Sequence, residues 1–137
     1  MNAAKVKVPV WIGERETLFL HQRSLVLHGG APGILDVALL KSALARPLQH
    51  YSYASEADII ALAGVYTAGI VGNHPFVDGN KRTGFIVGVL FLELNGYRFT
   101  ALEEDAAQAV LALAAGEIDE GRFTAFLRAN VTRARKS

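Results

Sequence analysis

The sequence predicts an all-α protein, a compact bundle of about six helices in a single domain that spans residues 1–137. Apolar residues recur at helical spacing along most of the chain, in stretches separated by helix caps and by Gly or Pro. Two of these stretches are apolar on nearly every face, which is typical of helices in the centre of a bundle. A length of 137 residues, of which 51% are hydrophobic, is enough to bury one sizeable core and too short for two.

The overall charge is nearly balanced, with 14 Lys and Arg against 13 Asp and Glu. A net charge of +1 gives no long-range attraction to nucleic acid or to an anionic membrane, so we expect neither as a partner. The longest apolar run, Phe85 to Leu92, is far below the roughly 18 residues that a membrane span needs. The absence of cysteine excludes disulfides and thiolate metal sites, and cytoplasm is the expected location.

The N-terminal part predicts a possible short extended segment followed by a helix. Residues 5–12 alternate polar and apolar, but Pro9 interrupts them, so an edge strand and an extended lead-in are both open. The apolar residues from Glu14 to about His28 suit a helix, and the glycine-rich segment at residues 29–33 predicts a loop.

The next two predicted helices are defined by their caps and breakers. Asp36 stands at the N-cap position of a helix that is expected to end at Pro47. A loop through residues 51–53 then leads to Ser55, a candidate N-cap that places Asp58 in the first turn of the third helix.

The third predicted helix runs to about Val71, and the fourth follows Asn80 and ends at a C-cap signal, Asn95-Gly96. Both are apolar on nearly every face, so they are expected in the centre of the bundle. Two amphipathic helices follow, at residues 103–115 and 119–130, before a short basic tail.

The segment between the two apolar helices, HPFVDGNKRT at residues 74–83, concentrates polar side chains where the neighbouring sequence has almost none. Gly79 and Asn80 allow the chain to turn tightly into the next helix, whose first N–H groups lack intrahelical partners and attract anions. Lys81 and Arg82 add two cations suited to phosphate oxygens. This pattern predicts a polyphosphate site.

Two further side chains of the segment suggest chemistry on that phosphate. Asp78 precedes the turn, where one carboxylate can hold a Mg²⁺ that also binds phosphate oxygens. His74 can accept a proton from an attacking hydroxyl, because imidazole titrates near neutral pH. Phe76 is expected to anchor the loop in the core. A nucleotide with its metal is therefore the expected ligand.

The nine residues HPFVDGNKR, at positions 74–82, resemble the Fic/Doc motif H-x-F-x-[D/E or N]-[G/A]-N-[G or K]-R. The flanking segments HGGAPGILD, LLKSALARP and LNGYRF look like those of the death-on-curing (Doc) subgroup, and the resemblance covers roughly residues 17–128. It implies the Fic/Doc fold, with His74 as general base, Phe76 as core anchor and Asp78 as metal ligand. It also implies a phosphate-binding turn made by four residues: Gly79, Asn80, Lys81 and Arg82.

Three positions depart from what is usual in relatives. Adenylylating Fic enzymes usually have glycine where Lys81 stands and a second arginine where Phe85 stands, whereas the Doc branch shares the lysine. The resemblance therefore implies a protein kinase that uses ATP and Mg²⁺, with the γ-phosphate toward the histidine. The implied target is a hydroxyl on the translation machinery, with elongation factor Tu as the leading candidate. The third departure is Ile34, where the subgroup commonly carries arginine in a loop concerned with target docking.

The same resemblance implies a toxin of a type II toxin–antitoxin system that arrests growth. Its expected partner is a Phd-type antitoxin, whose disordered segment folds against an apolar groove. Two alternatives stay open, a Fic-type protein adenylyltransferase and a non-catalytic binding module. The intact His74, Asp78 and Asn80 argue against the binding module.

Several polar residues have simpler structural interpretations. Asp78 can serve as an N-cap, which is compatible with metal binding, and Asn80 as a turn residue. Lys81 and Arg82 can form a solvated first turn, although cations oppose the helix dipole there. The glycines at 29–33 are expected to form turns. Structural roles are also expected for three other histidines: His21, His28 and His50.

Overall fold

The computed structural model describes residues 8–54 and 58–134, and its helices confirm the predicted all-α bundle. Within these residues there are six helices and two short strands. In chain order they are α1 (Glu14–His28), α2 (Val37–Tyr53), α3 (Ile59–Asn73), α4 (Asn80–Leu94), β1 (Tyr97–Phe99), α5 (Glu103–Ala114), α6 (Glu120–Ala129) and β2 (Val131–Arg133). No helix in the described part of the chain is long and apolar enough to span a membrane.

Helix α3 occupies the centre of the bundle and packs against α2, α4 and α6. Its buried residues lie on every side, as its apolar sequence predicts. Helix α4 approaches it closely because Gly84 and Gly88 have no side chains, and a Cβ at either position would meet the backbone of α3. The Thr67 hydroxyl of α3 donates a hydrogen bond to the Gly84 carbonyl at 2.8 Å. The two buried helices are thus fixed against each other. The end of α3 and the start of α4, between which the polar segment lies, are fixed with them.

Aspartates cap the N-termini of three helices. Asp36, Asp58 and Asp119 each accept backbone N–H groups at the starts of α2, α3 and α6. The cap at Asp36 confirms the prediction. The placement of Asp58 within the first turn was wrong, because Asp58 is itself the cap, and the predicted cap Ser55 lies outside the described residues.

The cap at Asp58 also connects α3 to α6. Arg128 of α6 donates to its carboxylate at 2.9 Å. Burial acts to raise the pKa of Asp58, but the hydrogen bonds from Arg128 and from the Ala61 amide outweigh it and leave the pKa below its ordinary value. The charged form is therefore the one that this junction stabilises.

Helix α2 continues past the point where the sequence predicted its end. Pro47 lies inside the helix, and residues 51–53, which were predicted as a loop, form its last turn. Proline removes one helical hydrogen bond and disfavours the interior of a helix. Pro47 is nevertheless buried in the core, and the packing of α2 along α3 outweighs that local preference.

The two strands were not predicted, because each has only three residues. They pair in antiparallel register, with Arg98 opposite Thr132. Their pairing holds β2 beside β1, and β1 in turn contacts α4. A pair this short has no hydrophobic alternation that a sequence pattern can reveal.

The N-terminal segment is held by side chains rather than by strand pairing. The described residues 8–13 contain no strand, and residues 5–7 of the predicted extended segment lie outside the described part. The Asn95 amide accepts from the Val10 N–H at 2.7 Å and donates to its carbonyl at 3.0 Å. The Tyr66 hydroxyl likewise accepts from the Ile12 N–H at 2.9 Å and donates to the Ile12 carbonyl at 3.0 Å.

Tyr66 lies fully buried on α3. Burial raises the pKa of its phenol, and nearby Glu16 adds to the effect, while the hydrogen bond to Ile12 acts in the opposite direction. The phenol therefore stays protonated and can both donate and accept.

We expect Tyr66→Phe to lower the free energy of unfolding by about 1–3 kcal/mol, because it leaves the N–H and carbonyl of Ile12 buried without partners. Urea denaturation followed by circular dichroism measures the change. Tyr53→Phe is the matched control, since Tyr53 is 88% exposed. Equal stabilities of the two variants would contradict the role of the Tyr66 hydroxyl.

Candidate active site

The polar segment forms a loop between the ends of the two buried helices. Helix α3 ends at Asn73, and His74 follows as its C-cap with φ 52° and ψ 55°. Among the described residues it is the only one other than glycine with a positive φ. Such a conformation is uncommon for a residue with a Cβ and costs free energy. It turns the chain sharply out of α3 and leaves the His74 side chain exposed.

Phe76 fixes the middle of this loop in the core. Its side chain is fully buried, and both of its backbone polar groups bind one side chain, the amide of Asn80. The Asn80 Oδ1 accepts from the Phe76 N–H at 2.9 Å, and the Asn80 Nδ2 donates to the Phe76 carbonyl at 2.9 Å. Asn80 is itself 3% exposed, and its buried side chain braces the loop.

His21 of α1 supports the loop from the other side. Its ring stacks on the Phe76 ring with centroids 3.7 Å apart and planes 9° from parallel. Its Nε2 lies 2.8 Å from the Asp78 carbonyl oxygen, and because a carbonyl only accepts, Nε2 must carry the proton. The expected structural role of His21 is consistent with this partner. No sequence pattern indicates that His21 contacts the loop, since 57 residues separate His21 from Asp78.

The glycine-rich segment after α1 pairs with the loop along its outer edge. Ile34 and Phe76 form an isolated antiparallel bridge. The Val77 N–H donates to the Gly33 carbonyl at 3.0 Å, and the Leu35 N–H donates to the Pro75 carbonyl at 2.7 Å. Glycines 29, 30 and 33 have positive φ, which confirms their expected role as turn formers. Ile34 therefore lies beside the loop, with its side chain 40% exposed.

Asp78 faces this segment and remains open to solvent. Its Oδ2 accepts from the Ala31 N–H at 3.0 Å, which fixes the carboxylate. The carboxylate does not cap α4, so the N-cap interpretation was wrong: the cap position belongs to Gly79. In the hydrogen bonds of the described residues the Asp78 side chain engages only Oδ2, so the second oxygen is available to a ligand.

A divalent ion at this place would have a single protein carboxylate. The described residues contain no cluster of three or more His, Cys, Asp and Glu side chains that could hold a metal. Mg²⁺ commonly uses one or two carboxylates and takes its other ligands from water and phosphate oxygens. One oriented, solvent-open carboxylate beside an anion site fits Mg²⁺ bound together with a phosphate.

The start of α4 is open to an anion. Gly79, at φ 80°, offers no side-chain cap, and the Thr83 N–H makes the first helical hydrogen bond, to the Gly79 carbonyl at 2.9 Å. The N–H groups of Asn80, Lys81 and Arg82 therefore have no acceptor within the helix. These amides and the positive end of the helix dipole favour a bound anion.

Two exposed cations stand at the same helix end. Lys81 and Arg82 project from the first turn of α4. The ion pairs among the described residues are Arg46–Glu120 and Arg128–Asp58, so no carboxylate there neutralises Lys81 or Arg82. Their charges add to the field of the helix end, and this combination suits phosphate.

A cavity of about 670 Å³ opens next to these cations. Lys81 and Arg82 line it, whereas His74 and Asp78 are not among its described lining residues. The predicted site residues therefore divide into two groups. His74 and Asp78 lie on the exposed loop, and the two cations lie between that loop and the cavity.

A helical bundle whose two central helices are joined by a polar loop, followed by a helix start without a side-chain cap, defines the class of this protein. Its sequence identifies the family. The profile of the Fic/DOC family matches residues 11–92, more than half of the chain, which therefore belongs to that family.

Named relatives lie on the Doc side of the family. The chain is 28% identical over 117 residues to the protein kinase doc of Escherichia phage P1, covering 85% of this chain and 92% of that protein. It is 35% identical over 78 residues to the toxin Doc of Mycolicibacterium smegmatis, covering 56% of this chain and 59% of that protein. This similarity agrees with the Doc subgroup that the sequence resembles.

We expect Asn80→Ala to lower the free energy of unfolding by about 1–3 kcal/mol, because both backbone groups of Phe76 lose their buried partner. Amide hydrogen exchange should accelerate at residues 76–79 more than elsewhere. Asn73→Ala is the control, since Asn73 makes a single exposed hydrogen bond to the Leu39 carbonyl. Unchanged exchange in the loop would contradict the bracing role of Asn80.

Proposed function

We propose that this protein is an ATP-dependent protein kinase of the Doc type, which transfers the γ-phosphate of ATP to a protein hydroxyl. The observation that carries the proposal is the open start of α4. Unpaired amides and the two cations Lys81 and Arg82 lie together there, directly after a loop that exposes His74 and Asp78, and this arrangement supports a phosphate site. The relative named protein kinase doc supports the same chemistry.

The proposed reaction assigns one task to each of these groups. The amides of α4 and the side chains of Lys81 and Arg82 bind the transferred phosphate and offset its charge in the transition state. The imidazole of His74 accepts the proton of the attacking hydroxyl. The hydroxyl oxygen forms a bond to the γ-phosphorus as the bond from that phosphorus to the β–γ bridging oxygen breaks, and ADP leaves with the bond's electron pair.

Asp78 is the proposed ligand of the magnesium ion that accompanies ATP. When bound, Mg²⁺ neutralises phosphate charge. The Ala31 N–H holds one carboxylate oxygen of Asp78, which leaves the other oriented for the ion. The glycine turn after α1 thus contributes to the proposed metal site by orienting Asp78.

Two residues favour phosphoryl over adenylyl transfer. Lys81 occupies space that a glycine would leave open for further phosphates. Phe85, at the position of the second arginine of adenylylating relatives, packs edge-on against Phe99 with ring centroids 5.6 Å apart. An aromatic ring in an apolar contact cannot bind a phosphate, so this side of the site does not suit a polyphosphate tail.

The proposed biological role is that of a growth-arresting toxin in the cytoplasm, as the relative named toxin Doc suggests. The proposed target is a hydroxyl of the translation machinery, with elongation factor Tu as the leading candidate. A Phd-type antitoxin is the proposed neutralising partner. Ile34, exposed beside the loop, is the proposed contact for a target segment.

The first test is incubation of the purified protein with cell lysate, Mg²⁺ and ATP labelled at the α- or the γ-phosphate. We expect protein labelling from γ-labelled ATP alone. The His74→Ala variant should lose it by a factor of about 10² or more, since general-base catalysis contributes roughly 10²–10⁴. His50→Ala, at an exposed histidine of α2, is the control and should label like the parent.

The labelling pattern separates the alternatives. Label from the α-phosphate would assign the protein to the adenylylating branch and contradict the inference from Lys81 and Phe85. Absence of label from both positions would favour a binding module over an enzyme.

The second test concerns the metal. We expect Asp78→Asn to raise the Mg²⁺ concentration needed for half-maximal labelling by at least about tenfold, because an amide oxygen lacks the charge of a carboxylate. Asp36→Asn is the matched control, since asparagine caps a helix about as well as aspartate. An unchanged Mg²⁺ requirement in Asp78→Asn would remove Asp78 from the metal site.

A further inference from the structure

We propose that His21 is a positioning residue of the site, which holds the main chain of Asp78 so that the Asp78 carboxylate stays in place for a metal ion. The inference deepens the proposed function and rests on it, because it presupposes that Asp78 binds the ion. His21 lies on α1, outside the polar segment, and no step of the proposed reaction uses it. It is only 5% exposed, so its effect on an ion passes through its neighbours.

The first contact fixes the backbone of Asp78. The His21 Nε2–H group donates to the Asp78 carbonyl at 2.8 Å. The ring also packs against the next residue, since a Cβ on Gly79 would lie 3.6 Å from the ring atoms Cδ2 and Nε2. Gly79 is the N-cap of α4. The peptide that joins Asp78 to the start of α4 therefore rests on the His21 ring.

A second contact, from the turn that follows α1, fixes the side chain of Asp78. The Ala31 N–H donates to the Asp78 Oδ2 at 3.0 Å. Gly30 lies against the same side chain, because a Cβ on Gly30 would be 3.4 Å from the Asp78 Cβ. The Gly29 N–H donates to the Leu25 carbonyl at 2.7 Å, which joins this turn to the end of α1. One continuous stretch of chain thus holds Asp78 at its carbonyl and at its carboxylate.

The two contacts depend on each other. The carboxylate is attached to the backbone through rotatable bonds, so a displaced Asp78 backbone moves Oδ2 away from the Ala31 N–H, and a hydrogen bond weakens steeply as its geometry departs from the optimum. A carboxylate that is held before the ion arrives loses less conformational entropy when it binds. Loss of the His21 hydrogen bond should therefore weaken metal binding although His21 does not touch the ion.

Histidine combines two properties that this position uses. The face of the ring stacks on Phe76 with centroids 3.7 Å apart, and the edge carries the donor for the Asp78 carbonyl. Phenylalanine keeps the flat face and lacks the donor, whereas glutamine keeps a side-chain N–H and lacks the ring. The variants His21→Phe and His21→Gln therefore separate the stacking from the hydrogen bond.

Thr17→Val is the matched control. Thr17 is buried on α1 one turn before His21, and its hydroxyl donates to the Gly13 carbonyl at 2.8 Å. Like His21→Phe, the change removes one hydrogen bond from a buried side chain of α1 to a backbone carbonyl, but the carbonyl lies outside the loop. Thermal unfolding establishes that each variant is folded and how far it is destabilised.

The first measurement is the hydrogen-exchange rate of the Ala31 amide, followed by NMR without any ligand. We expect this amide to exchange about threefold to tenfold faster in His21→Phe, the effect expected from the loss of one hydrogen bond. The rate should stay within about twofold of the parent in His21→Gln and Thr17→Val, because the donor to Asp78 is kept in both. A role of His21 in overall stability alone would not single out the Ala31 amide.

The second measurement adds an equimolar mixture of Mn²⁺ and inorganic triphosphate and follows the paramagnetic broadening of the Gly79 amide signal, which needs no turnover. The concentration for half-maximal broadening should rise about threefold to tenfold in His21→Phe and stay near that of the parent in His21→Gln and Thr17→Val. In the Asp78→Asn background His21→Phe should add less than about twofold, because both changes act through one carboxylate.

The outcomes separate this inference from the proposed function. An unchanged Ala31 amide in His21→Phe, equal effects of His21→Phe and Thr17→Val, or faster exchange with unchanged Mn²⁺ broadening would each overturn the inference even if γ-labelling stands. The expected changes in a protein that transfers no label would support the inference and overturn the kinase function. Absence of Mn²⁺ broadening in the parent would overturn both the inference and the metal role of Asp78.

Discussion

The Asn80 side chain holds together the part of the structure on which the site depends. Its amide satisfies both backbone groups of Phe76, and it does so from the first residue of α4. The loop between the two buried helices is therefore held by hydrogen bonds between its own residues, and the Phe76 ring anchors it in the core. His74 and Asp78 are exposed on a backbone whose centre cannot move without exposing an aromatic ring and two unpaired polar groups.

Segments that are distant in sequence also contact this loop and support it. His21 stacks on Phe76 and binds the Asp78 carbonyl, and the turn after α1 pairs with the outer edge of the loop. The uncommon backbone conformation of His74 is stable because these contacts determine the path of the chain on both sides. Rigid positioning of this kind suits the proposed phosphoryl transfer, since its catalysis consists largely of orientation and charge stabilisation.

The electrostatics of the site follow from the start of α4, which has no side-chain cap. Three helices of the bundle begin with an aspartate that neutralises the local dipole, whereas α4 begins with Gly79 and carries two cations in its first turn. Repulsion between these cations and the dipole costs free energy until an anion binds.

The sequence by itself determined the helices and the polar side chains that the loop presents, because both depend on residues close together in the chain. Periodicity and caps located the six helices of the described residues, and HPFVDGNKR contained the predicted phosphate turn, the histidine and the carboxylate. The tertiary structure alone decided the passage of α2 through Pro47, the pairing of β1 with β2, the support from His21 and the cavity between α4 and α5. These features arise from contacts between segments far apart in sequence, which no local pattern encodes. At these places the packing energies between helices outweigh the local conformational preferences.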